Sequence, residues 1–464
     1  MKLCVIGGAG ARSAFLTKSL VKSAREIRVD HIVLLDNNEE HLRTYGQISK
    51  ELARRMEPSL TFDITTDARG ALTGADYIIT TIRAGGDAGR LFDEKTCLAH
   101  GVLGQETTGA GGFAMAIRSV PTLVYYCTLA RVVSNPGHLL FHFTNPSGII
   151  TQALRSCGFA NVYGICDAPS GFIKQLEEIL NVPYGALDIE CYGLNHLSWF
   201  RNAKLDGRDV QEELLNNPRT YQHSEMRLFT REMARLSGEC MLNEYLYFYY
   251  RREKSLSMVQ KAEHPRGEMI YLINRELETQ LAQMELPRDF EKAFNLYMNA
   301  YGKRENAYFS VESGARREKV WNPPTVEEFL AEPDEGGYAA VALRFIRAIT
   351  DGEDCRMVLS VPNEGAIDGL EDDDVVEITC DIHSDGAHPI HIGVIDEFQL
   401  QQIKRLKYFE RCTIQAILHD DRDSAVKGLA LHPLVNDFEL AETLSGIFFK
   451  EYASFIHMNE APGQ

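Results

Sequence analysis

Apolar residues in the first third of the chain gather in short runs, separated by glycine-rich or polar turns and by stretches with helical periodicity. Runs at Lys2–Ile6, His31–Leu35, Leu60–Thr65, Ala75–Thr81, His138–Thr144 and Asn161–Ile165 predict six strands, with helices between most of them. Such alternation predicts an α/β fold with a Rossmann-type, doubly wound sheet. Beyond it the pattern predicts a mixed α/β region: helices near Ser224–Leu236, Leu242–Glu253, Arg266–Gln283 and Gly337–Thr350, and strands at Arg356–Ser360 and Val375–Asp381. A helical end follows, from about Asp396 through His419, then Ala425–Leu431 and Phe438–Ile456. At 464 residues the chain is too long for one ordinary core, so two domains are expected, 1–165 and 166–464.

The turn after the first strand reads Gly7-Gly8-Ala9-Gly10-Ala11-Arg12-Ser13. Gly8 and Gly10 fill the first two positions of G-x-G-x-x-G, and Ser13 replaces the third glycine. Glycines there permit a tight turn and close approach of a pyrophosphate to backbone N–H groups at a helix N-terminus. The second strand ends in Asp36, where a ribose-binding carboxylate is expected, and Asp36-Asn37-Asn38 places no basic side chain beside it. That favours NAD over NADP. Arg12, Ser13 and Thr81, the last in the loop after the fourth strand, complete the cofactor-binding candidates.

Composition narrows the partners. With 66 acidic and 48 basic residues the formal charge is −18, which disfavours nucleic acid and anionic membranes. An anionic ligand would need a few local Arg or Lys residues. The ten cysteines form no CxxC and no disulfide-rich pattern, so reduced thiols are expected. With no leader-like N-terminus and no apolar run approaching a membrane span, a cytoplasmic location is expected.

Several loops at expected strand ends carry polar chemistry: Thr80-Thr81-Ile82-Arg83 with Arg90 and Asp93 after it, Gly104-Gln105-Glu106-Thr107, and Thr144-Asn145-Pro146-Ser147. Turn chemistry explains such residues in general, but the forked donors of Arg83 and Arg90 suit a carboxylate or phosphate. Cys166, Asp167 and, further on, Asn195-His196 also sit just past strands. Alone, Cys166 reads as a buried thiol and His196 as a satisfied core imidazole. Together they are a candidate pair of ligands for a borderline divalent metal with positions left open for substrate. The basic stretch Lys303, Arg304, Arg316, Arg317 and Lys319 reads as a solvated face or a subunit contact.

Taken together, the Gly-rich turn, Gly-Gln-Glu-Thr, Thr-Asn-Pro, Cys166 and Asn195-His196 resemble the family 4 glycoside hydrolases, NAD- and divalent-metal-dependent 6-phospho-glycosidases. The late segments Val361-Pro-Asn-Glu-Gly-Ala-Ile and Asp385-Gly-Ala-His-Pro also resemble the family. The resemblance implies a C-terminal region of lactate/malate-dehydrogenase type, Cys166 and His196 as ligands of a metal (usually Mn²⁺), and Tyr245 as base. It further implies Glu106 as an acidic residue near that base, and Arg90, Asn145, Asn195 and Arg266 as substrate-binding, the arginines suiting a 6-phosphate. Asp167 matches an acid of the α-specific members, whereas the Gly-Gln-Glu-Thr and Thr-Asn-Pro-Ser-Gly contexts resemble the 6-phospho-β-glucosidases, and β is preferred. By spacing alone, Tyr245 with Tyr249 reads as core packing on one helix face. Where relatives have Gly-Gly-x-Tyr-Tyr-Ser, this chain has Glu305-Asn306-Ala307-Tyr308-Phe309-Ser310, which bears on the sugar or aglycone pocket.

The family departs from two-carboxylate glycosidase chemistry. The resemblance implies oxidation of the sugar at C3 by NAD, loss of the acidified C2 proton to Tyr245, elimination of the aglycone, addition of water and return of the hydride, with a metal polarising the C3 ketone. It also implies a homodimer or homotetramer. Two rivals remain: a lactate/malate-type hydroxy-acid dehydrogenase, for which no Gly-x-His-Gly-like setting is found, and a non-catalytic NAD-sensing protein.

Overall fold

The computed structural model describes residues 1–314, 320–334 and 339–456. Six parallel strands, β1 (Lys2–Ile6), β2 (His31–Leu35), β3 (Thr61–Thr65), β4 (Tyr77–Thr80), β5 (Leu139–His142) and β6 (Val162–Gly164), lie in the order β3-β2-β1-β4-β5-β6. The doubly wound sheet is therefore as the alternation predicts. Central β1 is buried from Leu3 to Ile6, so both faces want apolar side chains, whereas edge strand β3 mixes buried and exposed positions.

The sheet does not stop at β6. Gly164 pairs antiparallel with Ser360 of β11 (Cys355–Pro362), followed by β12 (Val375–His383) and β13 (Gly386–Pro389). One nine-stranded sheet thus takes residues from both sides of position 165. A second, smaller sheet packs beside it: β7 (Leu187–Leu194), β8 (Leu197–Leu205), the short β9 (Arg208–Asp209) and β10 (Met241–Leu242). Thr379 of β12 joins the two sheets by accepting the Cys191 N–H at 2.9 Å.

Four expected helices differ; the last, Phe438–Ile456, breaks at Tyr452 into Phe438–Glu451 and Ala453–Ile456. Leu242 belongs to β10, so the expected Leu242–Glu253 helix becomes Leu246–Tyr250 and Arg252–Lys261. Pairing of Met241 and Leu242 with β8 overrides local helical propensity there. Ser224–Leu236 splits into a short 3₁₀ turn, Glu225–Leu228, and the helix Arg231–Leu236, each with its own cap from Ser224 and Thr230. Of the expected Gly337–Thr350 helix, Ala340–Asp351 is seen, and Gly337 lies outside the described residues. Among the described residues one helix, Gly109–Val133, is long and apolar enough to cross a membrane, but its most apolar window is 67% buried and forms core here.

All ten cysteines are unpaired. In the basic stretch, Arg316, Arg317 and Lys319 lie outside the described residues. Lys303 is exposed, as a solvated face requires, but Arg304 points into the cavity described next.

Candidate active site

A cavity of about 1040 Å³ opens at the carboxyl ends of the parallel strands, where an α/β sheet places its ligands. Gly8, Gly10, Arg12, Ser13, Asp36, Thr81, Arg90, Glu106, Asn145, Cys166, Asp167, His196, Tyr245 and Arg266 all line it. Asn195 does not; its amide turns away and donates to Glu377 at 2.8 Å.

At one end stands the glycine-rich turn. The N–H groups of Gly7 and Gly8 both reach Leu35 O, at 2.8 and 3.0 Å, folding the turn over β2. A Cβ at Gly8 would lie 2.8 Å from Leu34 Cβ, whereas one at Gly10 would meet nothing within 4 Å. Gly8 is thus demanded by the fold, and Gly10 borders open space that a cofactor could occupy. Tyr297, from the Phe290–Asn306 helix, donates to Ala11 O at 2.7 Å and accepts from Ala14 N at 3.3 Å. Thr81 Oγ1 donates to Gly7 O at 2.7 Å. Asp36 accepts from Ala9 N at 3.3 Å and Asn38 N at 3.0 Å, while burial raises its pKa. The open space beside Gly10 and the Asp36 carboxylate at the end of β2 fit a dinucleotide.

Cys166 ends the run from β6 and directly precedes the helix Asp167–Leu180. His196 is the second residue of the two-residue turn joining β7 to β8, and it holds a left-handed φ of +64°. The turn places His196 Nε2 3.7 Å from Cys166 Sγ. Two ligands of one metal at tetrahedral angles would stand about 3.6 Å apart. Without a cation, burial and then Glu377 drive the Cys166 thiol pKa well up, and burial lowers that of His196 to about 4. One thiolate and one neutral imidazole fit a divalent ion. Among the described residues, no group of three or more His, Cys, Asp or Glu stands ready to complete a protein-only set. Asp167 lies at the margin, 55% exposed and paired with Arg12 at 3.1 Å.

Tyr245 stacks on His196 with ring centroids 3.7 Å apart and planes inclined by 12°. It is the cap residue before the Leu246–Tyr250 helix, fixed by its N–H to Asn243 Oδ1 at 2.9 Å. Tyr245 and Tyr249 both pack against the main core, as the spacing predicts, while Tyr249 also turns to Thr108 and His432. Burial, then the charge of Glu244, keeps the Tyr245 phenol pKa high in the chain alone.

The opposite wall is rich in arginine. Arg90 is buried between Glu94 at 2.7 Å and Glu106 at 3.1 Å, so two carboxylates already neutralise it. Arg83 pairs with Asp87 at 2.7 Å and Glu106 at 3.2 Å. Against burial, Arg83 and Arg90 lower the pKa of Glu106, and Arg83 and Asn274 bring that of Asp87 down to about 2. Arg266 opens the helix Arg266–Leu281, and its Nη1 is buried without a hydrogen-bond partner among the described residues. Arg304 donates to Asn274 Oδ1 at 3.2 Å; burial, then Arg83, lowers its pKa. An anion would relieve this crowding of positive charge.

Sequence reasoning missed Arg304, Glu244 and Glu377. Arg304 follows Tyr297 by two helical turns, so counting along the Phe290–Tyr297 face would have found it. Glu377 interrupts the apolar run of β12 and is buried, holding Asn195 and Ser198 Oγ at 2.8 and 2.9 Å. A charge inside an apolar strand was the available signal.

Comparison with known proteins gives the family. Residues 2–182 match the family 4 glycosyl hydrolase profile and residues 191–435 its C-terminal domain profile. The 6-phospho-beta-glucosidase of Thermotoga maritima is 28% identical, with 96% of each chain covered. A phospho-alpha-glucosidase of Clostridium acetobutylicum is 26% identical over 95% of each. The Thermotoga maritima enzyme solved with manganese, NAD+ and glucose-6-phosphate superposes with a TM-score of 0.79 at 27% identity, covering 98% of this chain and 99% of that one.

Proposed function

Since this chain belongs to family 4 of the glycosyl hydrolases, we propose that it hydrolyses 6-phospho-glucosides, β-linked ones first, by transient oxidation of the sugar. The observation that carries this reading is the convergence of Cys166, His196, Tyr245 and an arginine-rich wall on one cavity. Relatives named for 6-phospho-glucosides support it.

The Gly8–Gly10 turn and Asp36 would hold NAD, and Cys166 with His196 the divalent cation. When bound, these supply a reversible hydride acceptor and Lewis acidity. Tyr245, oriented by its stack on His196, takes the proton from C2 of the sugar as a phenolate, a state that the positive charge of a bound cation would favour. Arg266 and Arg304 draw the 6-phosphate to the far wall, which fixes the ring against the base. Glu106 holds Arg83 and Arg90 in place beneath that wall, and Asn145 offers its amide to a sugar hydroxyl.

A second reading, α-linkage, is favoured by Asp167, a carboxyl beside Cys166 at the cavity margin. Nitrophenyl 6-phospho-α- and β-glucosides and their unphosphorylated counterparts, assayed with and without NAD⁺ and Mn²⁺, separate the readings. Turnover of the β-linked phosphorylated substrate, dependent on both additions and leaving deuterium at C2 in D₂O, is expected. Release of stoichiometric NADH would instead favour a dehydrogenase, and product without C2 deuterium together with a fully active Tyr245→Phe enzyme would rule out elimination.

A further inference from the structure

Tyr308 stands between two groups that the proposed reaction uses at different ends of the sugar. The Arg266 guanidinium lies over its ring, 5.1 Å from the centroid, within cation–π range. Its hydroxyl donates to Glu244 Oε1 at 3.4 Å and stands close enough to the Tyr245 phenol for each to shift the other's pKa. Phe309 braces both phenols, meeting the Tyr308 ring edge-on at 5.0 Å and the Tyr245 ring edge-on at 5.7 Å. One rigid ring therefore carries a cation on its face and the base at its tip. Any shift of Arg266 across that face bears on the hydroxyl that orients Tyr245.

We propose that Tyr308 is a positioning residue that couples the Arg266 side of the cavity to the orientation of the Tyr245 phenol. An anionic group drawn to Arg266 then sets the base as well as the substrate. This role rests on the glycosidase reading, and it gives the phosphate a function beyond affinity. A substrate lacking the phosphate would show a lower kcat as well as a higher KM.

The two ends of the ring can be removed separately. Tyr308→Phe keeps the face and loses the tip; Tyr308→Leu loses both. With a nitrophenyl 6-phospho-glucoside, Tyr308→Phe should lower kcat by about tenfold and leave KM within about twofold of wild type. Tyr308→Leu should lower kcat comparably, raise KM and weaken glucose 6-phosphate in a calorimetric titration by about threefold or more. A Tyr308→Phe enzyme with wild-type kcat, or one whose glucose 6-phosphate affinity falls as far as that of Tyr308→Leu, overturns the role. If the wild type turns over no phosphorylated glucoside with NAD⁺ and Mn²⁺, the glycosidase reading falls. The titration still decides the coupling residue then: equal affinities in the two variants refute it.

Discussion

The imidazole of His196 lies flat against the phenol of Tyr245, 3.7 Å between centroids and 12° from parallel. The proposed metal ligand and the proposed base therefore share one stack, and neither can turn without the other. Tyr245→Phe preserves that stack and removes only the hydroxyl. It should fold and bind NAD as wild type does while losing about 10²–10⁴-fold in kcat. Steady-state kinetics beside a thermal melt test this, and a fully active variant would exclude Tyr245 as base.

Metal binding can be read without turnover. Cys166→Ser replaces a thiolate by a poor ligand, and the 3.7 Å pair with His196 is lost. Titration of Mn²⁺ followed by electron paramagnetic resonance should show at least about tenfold weaker binding in the variant. Chelation should abolish wild-type activity, and added Mn²⁺ should restore it.

The two glycines of the turn should part company. Gly8→Ala forces a Cβ to within 2.8 Å of Leu34 and should destabilise the fold by about 1–3 kcal/mol. Gly10→Ala meets no protein atom within 4 Å, so its melting temperature should match wild type while its NAD affinity falls. Differential scanning fluorimetry with and without NAD⁺ distinguishes them.

On the arginine wall, Arg304→Ala and Arg266→Ala should each raise KM for phosphorylated substrate about tenfold to a hundredfold, as charge-assisted contacts are worth about 1.5–3 kcal/mol. Arg90→Ala should act differently. Its guanidinium is already held by Glu94 and Glu106, so its removal strips a cation from two buried carboxylates and should lower stability as well.

Glu377 makes the fold sensitive to pH. Burial raises its pKa from 4.5 to about 7, so the folded chain binds this proton more tightly than the unfolded chain does. The sign follows: its contribution to stability is greatest below pH 4.5 and is lost progressively as pH rises to about 7. Glu377→Gln keeps an acceptor for the Asn195 amide, offers its own N–H to Ser198 Oγ in place of the second oxygen, and carries no charge. Melts of chelator-treated protein should show the variant gaining on wild type by up to about 3 kcal/mol between pH 5 and 7. A constant difference across that range would contradict the assignment.

The parallel sheet and its cavity were legible because β1, β2 and the Gly-rich turn are local signals, each complete within a few residues. Tyr245 was legible only through resemblance, since its neighbours Tyr247, Phe248 and Tyr249 look like packing. Arg304 was misjudged because two adjacent cations, Lys303 and Arg304, resemble surface, and only the helix register separates exposed Lys303 from inward Arg304. The β7–β8 turn carries no Asn-Gly signal; His196 adopts its left-handed φ under the constraint of the strands around it.

The pairing of Gly164 with Ser360 has a practical consequence for cutting the chain. A fragment ending at residue 165 would contain all six parallel strands, yet the outer side of β6 would lack the neighbour that β11 supplies. An unpaired strand edge beside buried Val162 invites association with other chains. The dinucleotide-binding half should therefore be recovered as aggregate when expressed alone, and as a folded partner when residues 166–464 are co-expressed with it. Its boundary is a seam closed from both sides, and no linker at position 165 would make it a detachable module.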